Sequence, residues 1–310
     1  ISLKMSCLKK ILGIVLIWLR ISNIFSLFTV IYPVQSQTID DLMMFAEITI
    51  QIILIYVLTG VFAGLMGGML GLGGGIIIVP VLHYIFTQQG FTSSLIMHQA
   101  VTTSLATIIF TSLFATYEHH QKQAVSWSIV YRIAPGILLG ACLGVFIADS
   151  QSSDVLRIIF GIFEMLVAIQ IWFEVRPTKI VTLPNTSGFV FSGIFIGIFS
   201  TLLGIGGGTL TVPFLLWCNL NIRNAVAISS ACSFPIAVAA TTTFIIASWN
   251  NPNVFMHSIG YLYWPAALII VLMTIFFAPI GARLAHYLQI EILKRIFAIL
   301  LMIVGINMLI

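Results

Sequence analysis

A glycine-rich segment is written twice along this chain. Gly71-Leu72-Gly73-Gly74-Gly75, with Pro80 behind it, recurs as Gly204-Ile205-Gly206-Gly207-Gly208, with Pro213 behind it. Each copy separates two apolar stretches, and a pair of glycine-interrupted hydrophobic segments in matching halves points to a transporter's central binding site. Consecutive glycines break a helix because ordering them costs more backbone entropy than any other residue. Broken backbone at membrane depth persists only where it is buried in protein or lines a cavity. The chain is therefore expected to fold as two halves that bury two breaks.

That these stretches lie in a membrane follows from composition. Hydrophobic residues make up 60% of the chain and charged residues 7%, and mean hydropathy is +1.13. Soluble domains carry about 25% charged residues. Apolar runs reach the roughly 20 residues a helix needs to cross a bilayer and do not alternate as barrel strands do. An all-α, polytopic helical bundle is expected, sitting as a multi-pass protein in the plasma membrane with lipid as its solvent. Net charge is +4, but the 13 Lys and Arg residues are scattered at helix ends, which argues against a nucleic-acid partner. Cys7, Cys142, Cys218 and Cys232 lack disulfide or metal-ligand spacing and read as small packing residues. No metal or cofactor is expected, and oligomeric state is not legible.

The spans can be read in order. Leu8 to Ile31 forms a first apolar stretch that reads as a cleaved secretory signal ending near Val34-Gln35-Ser36, as a retained anchor, or, because of Arg20, as an interfacial helix. The first repeat then runs Met43–Met66, break, Ile76–Phe86, and three spans at Ile96–Tyr117, Trp127–Ala148 and Val155–Phe173. The second runs Gly188–Leu203, break, Thr209–Cys218, then Ala225–Trp249, Gly260–Tyr287 and Ile292–Ile310. The expected divisions are an N-terminal hydrophobic helix (1–41), repeat 1 (42–174), a cytoplasmic linker (175–187) and repeat 2 (188–310).

Positive charge marks cytoplasmic loops. With the Arg176/Lys179 linker inside, the Glu118–Lys122 loop, Arg283, Lys294 and Arg295 also fall inside, whereas Asp149, Asp154 and the Ser248–Ser258 loop fall outside. The first interrupted pair then enters from outside and the second from inside. Two inverted repeats are the expected geometry, with both breaks at one central level.

Each break precedes a short helix. Unpaired N–H groups and about half a positive charge at a helix start make an anion cradle that needs no lysine. Gly73, Gly74 and Gly75 with Gly206, Gly207 and Gly208 are the candidate substrate-binding backbone. Thr103 and Ser104, Ser229 and Ser230, and Thr209 are candidate hydroxyl ligands, because Thr102-Thr103-Ser104 and Ile228-Ser229-Ser230 match when aligned on Ala100-Val101 and Ala225-Val226. By contrast Gly60, Gly64 and Gly68, and Gly136, Gly140 and Gly144, stand at four-residue spacing and read as helix-packing positions. A nucleotide-binding reading fails, since no βαβ unit or Walker lysine accompanies the glycines.

At these motifs the chain resembles the TauE/SafE family of sulfite and organosulfur-anion permeases. The likeness rests on the two Gly-x-Gly-Gly-Gly…Pro elements and on Ala100-Val101-Thr102-Thr103-Ser104 and Ala225-Val226-Ala227-Ile228-Ser229, and it runs from about Ile50 to Ile310. The resemblance implies secondary transport of sulfite or a related sulfur-containing anion, outward across the cell membrane, by alternating access. Which anion, which direction and which coupling ion stay open, as do a passive anion channel on the same scaffold and, less favoured, a membrane-embedded enzyme or accessory subunit. No Ser/His/Asp set or metal cluster supports catalysis.

Glu164 falls in the middle of a span, where an ionisable group is a proton relay or a neutral hydrogen-bonding partner. Gln170 and Asn307 read as helix-to-helix hydrogen bonders, Arg132 and Arg283 as snorkelling cations, and Glu118-His119-His120 as a solvated loop.

Overall fold

The computed structural model describes residues 36–71, 73–173, 184–284 and 291–310. The N-terminal stretch before Ser36 and most of the charged linker lie outside the described residues. Two compact units divide at Ile52/Ile53; the packing and the site described below lie in the unit 53–310.

The chain is helical with one small hairpin. In order the elements are α1 (Ser36–Leu70), α2 (Gly75–Gln88), α3 (Ile96–Gln121), α4 (Trp127–Asp149), α5 (Ser153–Trp172), α6 (Thr186–Leu202), α7 (Gly208–Trp217), α8 (Ile222–Ala247), β1 (Ser258–Ile259), β2 (Leu262–Tyr263), α9 (Trp264–Leu284) and α10 (Glu291–Leu309). Among the described residues six helices are long and apolar enough to cross a bilayer. Large apolar side chains such as Leu139, Phe146, Leu166, Phe191, Phe276 and Ile303 point outward, as a lipid-facing surface requires. Local chemistry sets several helix starts: Asn185 and Asn221 accept from the amides of Gly188 and Asn224, each at 2.9 Å.

Helices α3 and α8 pack side by side at the centre, α4 lies on α6 and α8, α9 on α3, and α5 on α10. Small residues permit the closest approaches. A β-carbon on Gly60 or Gly64 would fall 2.9 Å from the Ile270 carbonyl oxygen or 3.1 Å from Thr274 Cα on α9, and one on Gly68 would strike the Ala278 carbonyl. On α4 the same addition at Gly136, Gly140 or Gly144 would strike the backbone of Val190, Ile194 or Ile198 on α6. The two sets correspond: the first helix of each half packs on the fourth helix of the other.

Two readings differ from the sequence expectation. The span placed from Gly260 begins at Trp264, because Gly260 (φ +55°) turns a two-stranded hairpin, Ser258 opposite Tyr263. The Glu118–His120 stretch is the last turn of α3 rather than a solvated loop. There Glu118 is buried and accepts two hydrogen bonds from Arg283, Nε at 3.0 Å and a terminal nitrogen at 2.5 Å, while His119 Nε2 lies 3.2 Å from the Gly68 carbonyl oxygen. Arg283 therefore spends its charge on α3. At the opposite end of α3 the hairpin folds over the helix starts: Phe91 stacks on Phe86 and Phe255, with Tyr263 edge-on, and Tyr261 Oη donates to Asp149 at 3.0 Å. Burial, with the Asp149 charge beside it, pushes the Tyr261 phenol up to about 12.

Candidate functional site in the glycine breaks

The two breaks touch. A β-carbon on Gly73 would lie 3.0 Å from Gly206 Cα, and one on Gly206 would lie 3.1 Å from Gly73 Cα. They meet beside Ile108 of α3 and Ser233 of α8, which occupy the middle turns of two helices of 26 residues each. Such a helix is about 39 Å long, so its middle lies deep within a bilayer.

What holds the breaks together is a crossed pair of contacts. Ser104 of the first half donates to the Gly204 carbonyl at 2.8 Å, and Ser229 of the second donates to the Gly71 carbonyl at 2.9 Å. Both glycines take left-handed backbone, Gly71 at φ +69° and Gly204 at φ +63°. A side chain on Gly71 would come within 2.8 Å of the Val226 carbonyl oxygen, and one on Gly204 within 2.9 Å of Val101 Cα. Each Ala-Val-x-x-Ser element is thus a socket for the other half's leading glycine. Sequence comparison of the halves aligns these elements but gives no sign that they interlock across the molecule.

The amides behind those glycines are not taken up by the described backbone. Among the described residues no backbone carbonyl accepts from the N–H of Gly73, Gly74, Gly75, Gly206 or Gly207, whereas Gly208 N–H turns back to the Gly206 carbonyl. Pro80 and Pro213, each six residues into its short helix, cannot donate to the carbonyls of Ile76 and Thr209, so both helices also carry a gap in their ladder. Unpaired buried amides next to a helix start favour an anion.

The remaining candidates fall in three places. Thr209 is buried on the first turn of α7. Thr103 accepts from Tyr263 N at 3.1 Å, which ties the hairpin to α3, and Ser230 donates within its own helix to Val226 at 3.1 Å. Glu164 is fully buried, neither carboxyl oxygen has a partner among the described residues, and it lies on the α5–α10 pair beside Gly305. Among the described residues no three His, Cys, Asp or Glu side chains cluster as metal ligands.

Residues 56–308 match the family model described as the sulfite exporter TauE/SafE. The chain belongs to the TauE/SafE family. It is 34% identical over 258 residues to a probable membrane transporter protein of Haemophilus influenzae, covering 83% of this chain and 97% of that one. It is 26% identical over 255 residues to a probable membrane transporter protein of Methanocaldococcus jannaschii (82% and 94% covered) and 29% identical over 274 residues to the probable membrane transporter protein YunE of Bacillus subtilis (81% and 95%). No solved structure matches. The TauE/SafE chain described here is a multi-pass integral membrane protein and a membrane transporter.

Proposed function

We propose that this transporter moves sulfite or a related sulfur-containing anion, and that the solute crosses at the junction of the two breaks. The observation that carries the reading is the meeting of Gly73 and Gly206 amid amides from which no backbone carbonyl of the described residues accepts. Such donors replace hydration around a negative charge without adding a fixed positive one, so the solute is held and still released. With the halves inverted, opening would alternate between the Glu118–Arg283 end and the hairpin end. Export of an anion from a negative-inside cell gains about 2.3 kcal/mol per charge per 100 mV and needs no coupling. Uptake would need a proton, for which Glu164 is the candidate carrier.

Flux of radiolabelled sulfite into proteoliposomes tests this. Gly207→Ala places its new methyl 2.6 Å from the Cδ1 tip of Ile236, a flexible neighbour, at φ −43°. The protein should fold and lose most saturable flux. Unchanged flux in Gly207→Ala and Gly74→Val would remove the junction from the pathway.

A further inference from the structure

The breaks are spelled alike but their surroundings are not. Flanking the second are Ser200 and Thr201 on the last turn of α6 and Thr209 and Thr211 on the first turn of α7; the corresponding positions around the first are Gly67, Gly68, Ile76 and Ile78. On the central helices Ser233 stands opposite Gly206, its Oγ 3.0 Å from the β-carbon position, where the first half puts Ile108 beside Gly73, at 3.2 Å.

Several buried helical hydroxyls donate to the carbonyl one turn back, among them Thr59 to Ile55, Thr111 to Thr107, Ser112 to Ile108 and Ser248 to Phe244. Ser200, Thr201 and Thr211 are buried, and among the described residues their hydroxyls have no partner. Thr102 on α3 and Thr241 on α8 are also buried without a hydrogen-bond partner there, but Ser200, Thr201 and Thr211 share that state around a single break. Thr211 is completely buried, and its Oγ1 lies 3.2 Å from the point to which a Gly207 β-carbon would project, at the start of α7. A buried donor left unmade is costly unless a ligand completes it.

We propose that the charged head of the transported oxyanion is seated at the N-terminal end of α7, against the Thr211 hydroxyl and the Gly206 and Gly207 amides, to one side of the junction. On the first break's side Ile76, Ile78 and Ile108 stand where the second has Thr209, Thr211 and Ser233, and its amides receive the head only in transit. The seat rests on the reading of the junction as an oxyanion pathway, and it makes the two halves unequal in affinity.

The test compares Thr211→Val, Thr211→Ser and Ile78→Thr in two assays. In proteoliposomes, Thr211→Val should raise the KM for radiolabelled sulfite by on the order of tenfold, the worth of one hydrogen bond to a charged group. Thr211→Ser should restore it, and Ile78→Thr should leave it within about twofold. In detergent, sulfite or sulfoacetate should raise the melting temperature of the wild type and of Thr211→Ser but not of Thr211→Val. Equal KM for wild type and Thr211→Val, or Thr211→Val protein stabilised by the anion as the wild type is, overturns the seat. Stabilisation that depends on Thr211 without any flux supports the seat and removes the transport reading. No stabilisation of the wild type by either anion overturns both.

Discussion

The two glycine breaks share a spelling and differ in shape. In the first, Gly71, Gly73 and Gly74 all take left-handed backbone; in the second only Gly204 does, and Gly207 is right-handed. The position they hold in common, Gly71 and Gly204, is the one inserted under the opposite half and capped by its serine. What the duplication shares is therefore the joint between halves. What differs lies beyond the joint: the hydroxyls around α7, and the connection after the central helix, which is a short turn (122–126) in the first half and the hairpin-bearing segment (248–263) in the second.

Substitutions can break that comparison. The largest effect is expected at the joint itself. Gly71→Val or Gly204→Val combines a forbidden φ with a backbone collision, a loss of roughly 4 kcal/mol or more, and should abolish the monodisperse peak in size-exclusion chromatography. Equivalent damage from both sides shows the joint is shared; survival of one shows it is not. Arg283→Ala comes next, because it removes both hydrogen bonds that the Glu118 carboxylate accepts from α9 and so lowers stability. Thermal unfolding in detergent should show that loss, and adding Glu118→Gln should recover part of it. Ser104→Ala and Ser229→Ala should each cost about 1 kcal/mol and do so equally, since each removes one donor from one glycine carbonyl. A clear inequality in their melting temperatures would show that the crossed contacts are not equivalent. The smallest effect on stability belongs to Glu164→Gln, which replaces a carboxyl without partners by an isosteric amide. If Glu164 carries a coupled proton, sulfite uptake driven by a pH gradient is lost while exchange of sulfite for sulfite persists; retained gradient-driven uptake excludes the role.

Much of this arrangement is legible in the sequence, for reasons that are local. Apolar runs, glycine clusters and the four-residue spacing of Gly60, Gly64 and Gly68 and of Gly136, Gly140 and Gly144 follow from solvent and helix geometry alone, and the packed helices agree. The misreadings come from long-range partners. Glu118 reads as a loop residue until Arg283, on α9, is seen to satisfy it. Gly260 reads as the start of a span because its neighbours are apolar, while its left-handed φ and the pairing of Ser258 with Tyr263 close a hairpin. The hydrogen bonds of Ser104 and Ser229 to glycine carbonyls across the joint are long-range in the same way and have no local signal. Thr211, two residues beyond the candidate Thr209, is marked out by complete burial, no hydroxyl partner among the described residues, and its place beside Gly207.

A density map of the protein in lipid nanodiscs with sulfite present is the direct measurement of where the anion goes. Gly73 and Gly206 in contact, with tetrahedral-sized density against the Gly206–Gly207 amides and Thr211, is the predicted result. Ordered anion density elsewhere in the bundle, with the junction of the breaks closed and empty of solute in both inward- and outward-open forms, would contradict it.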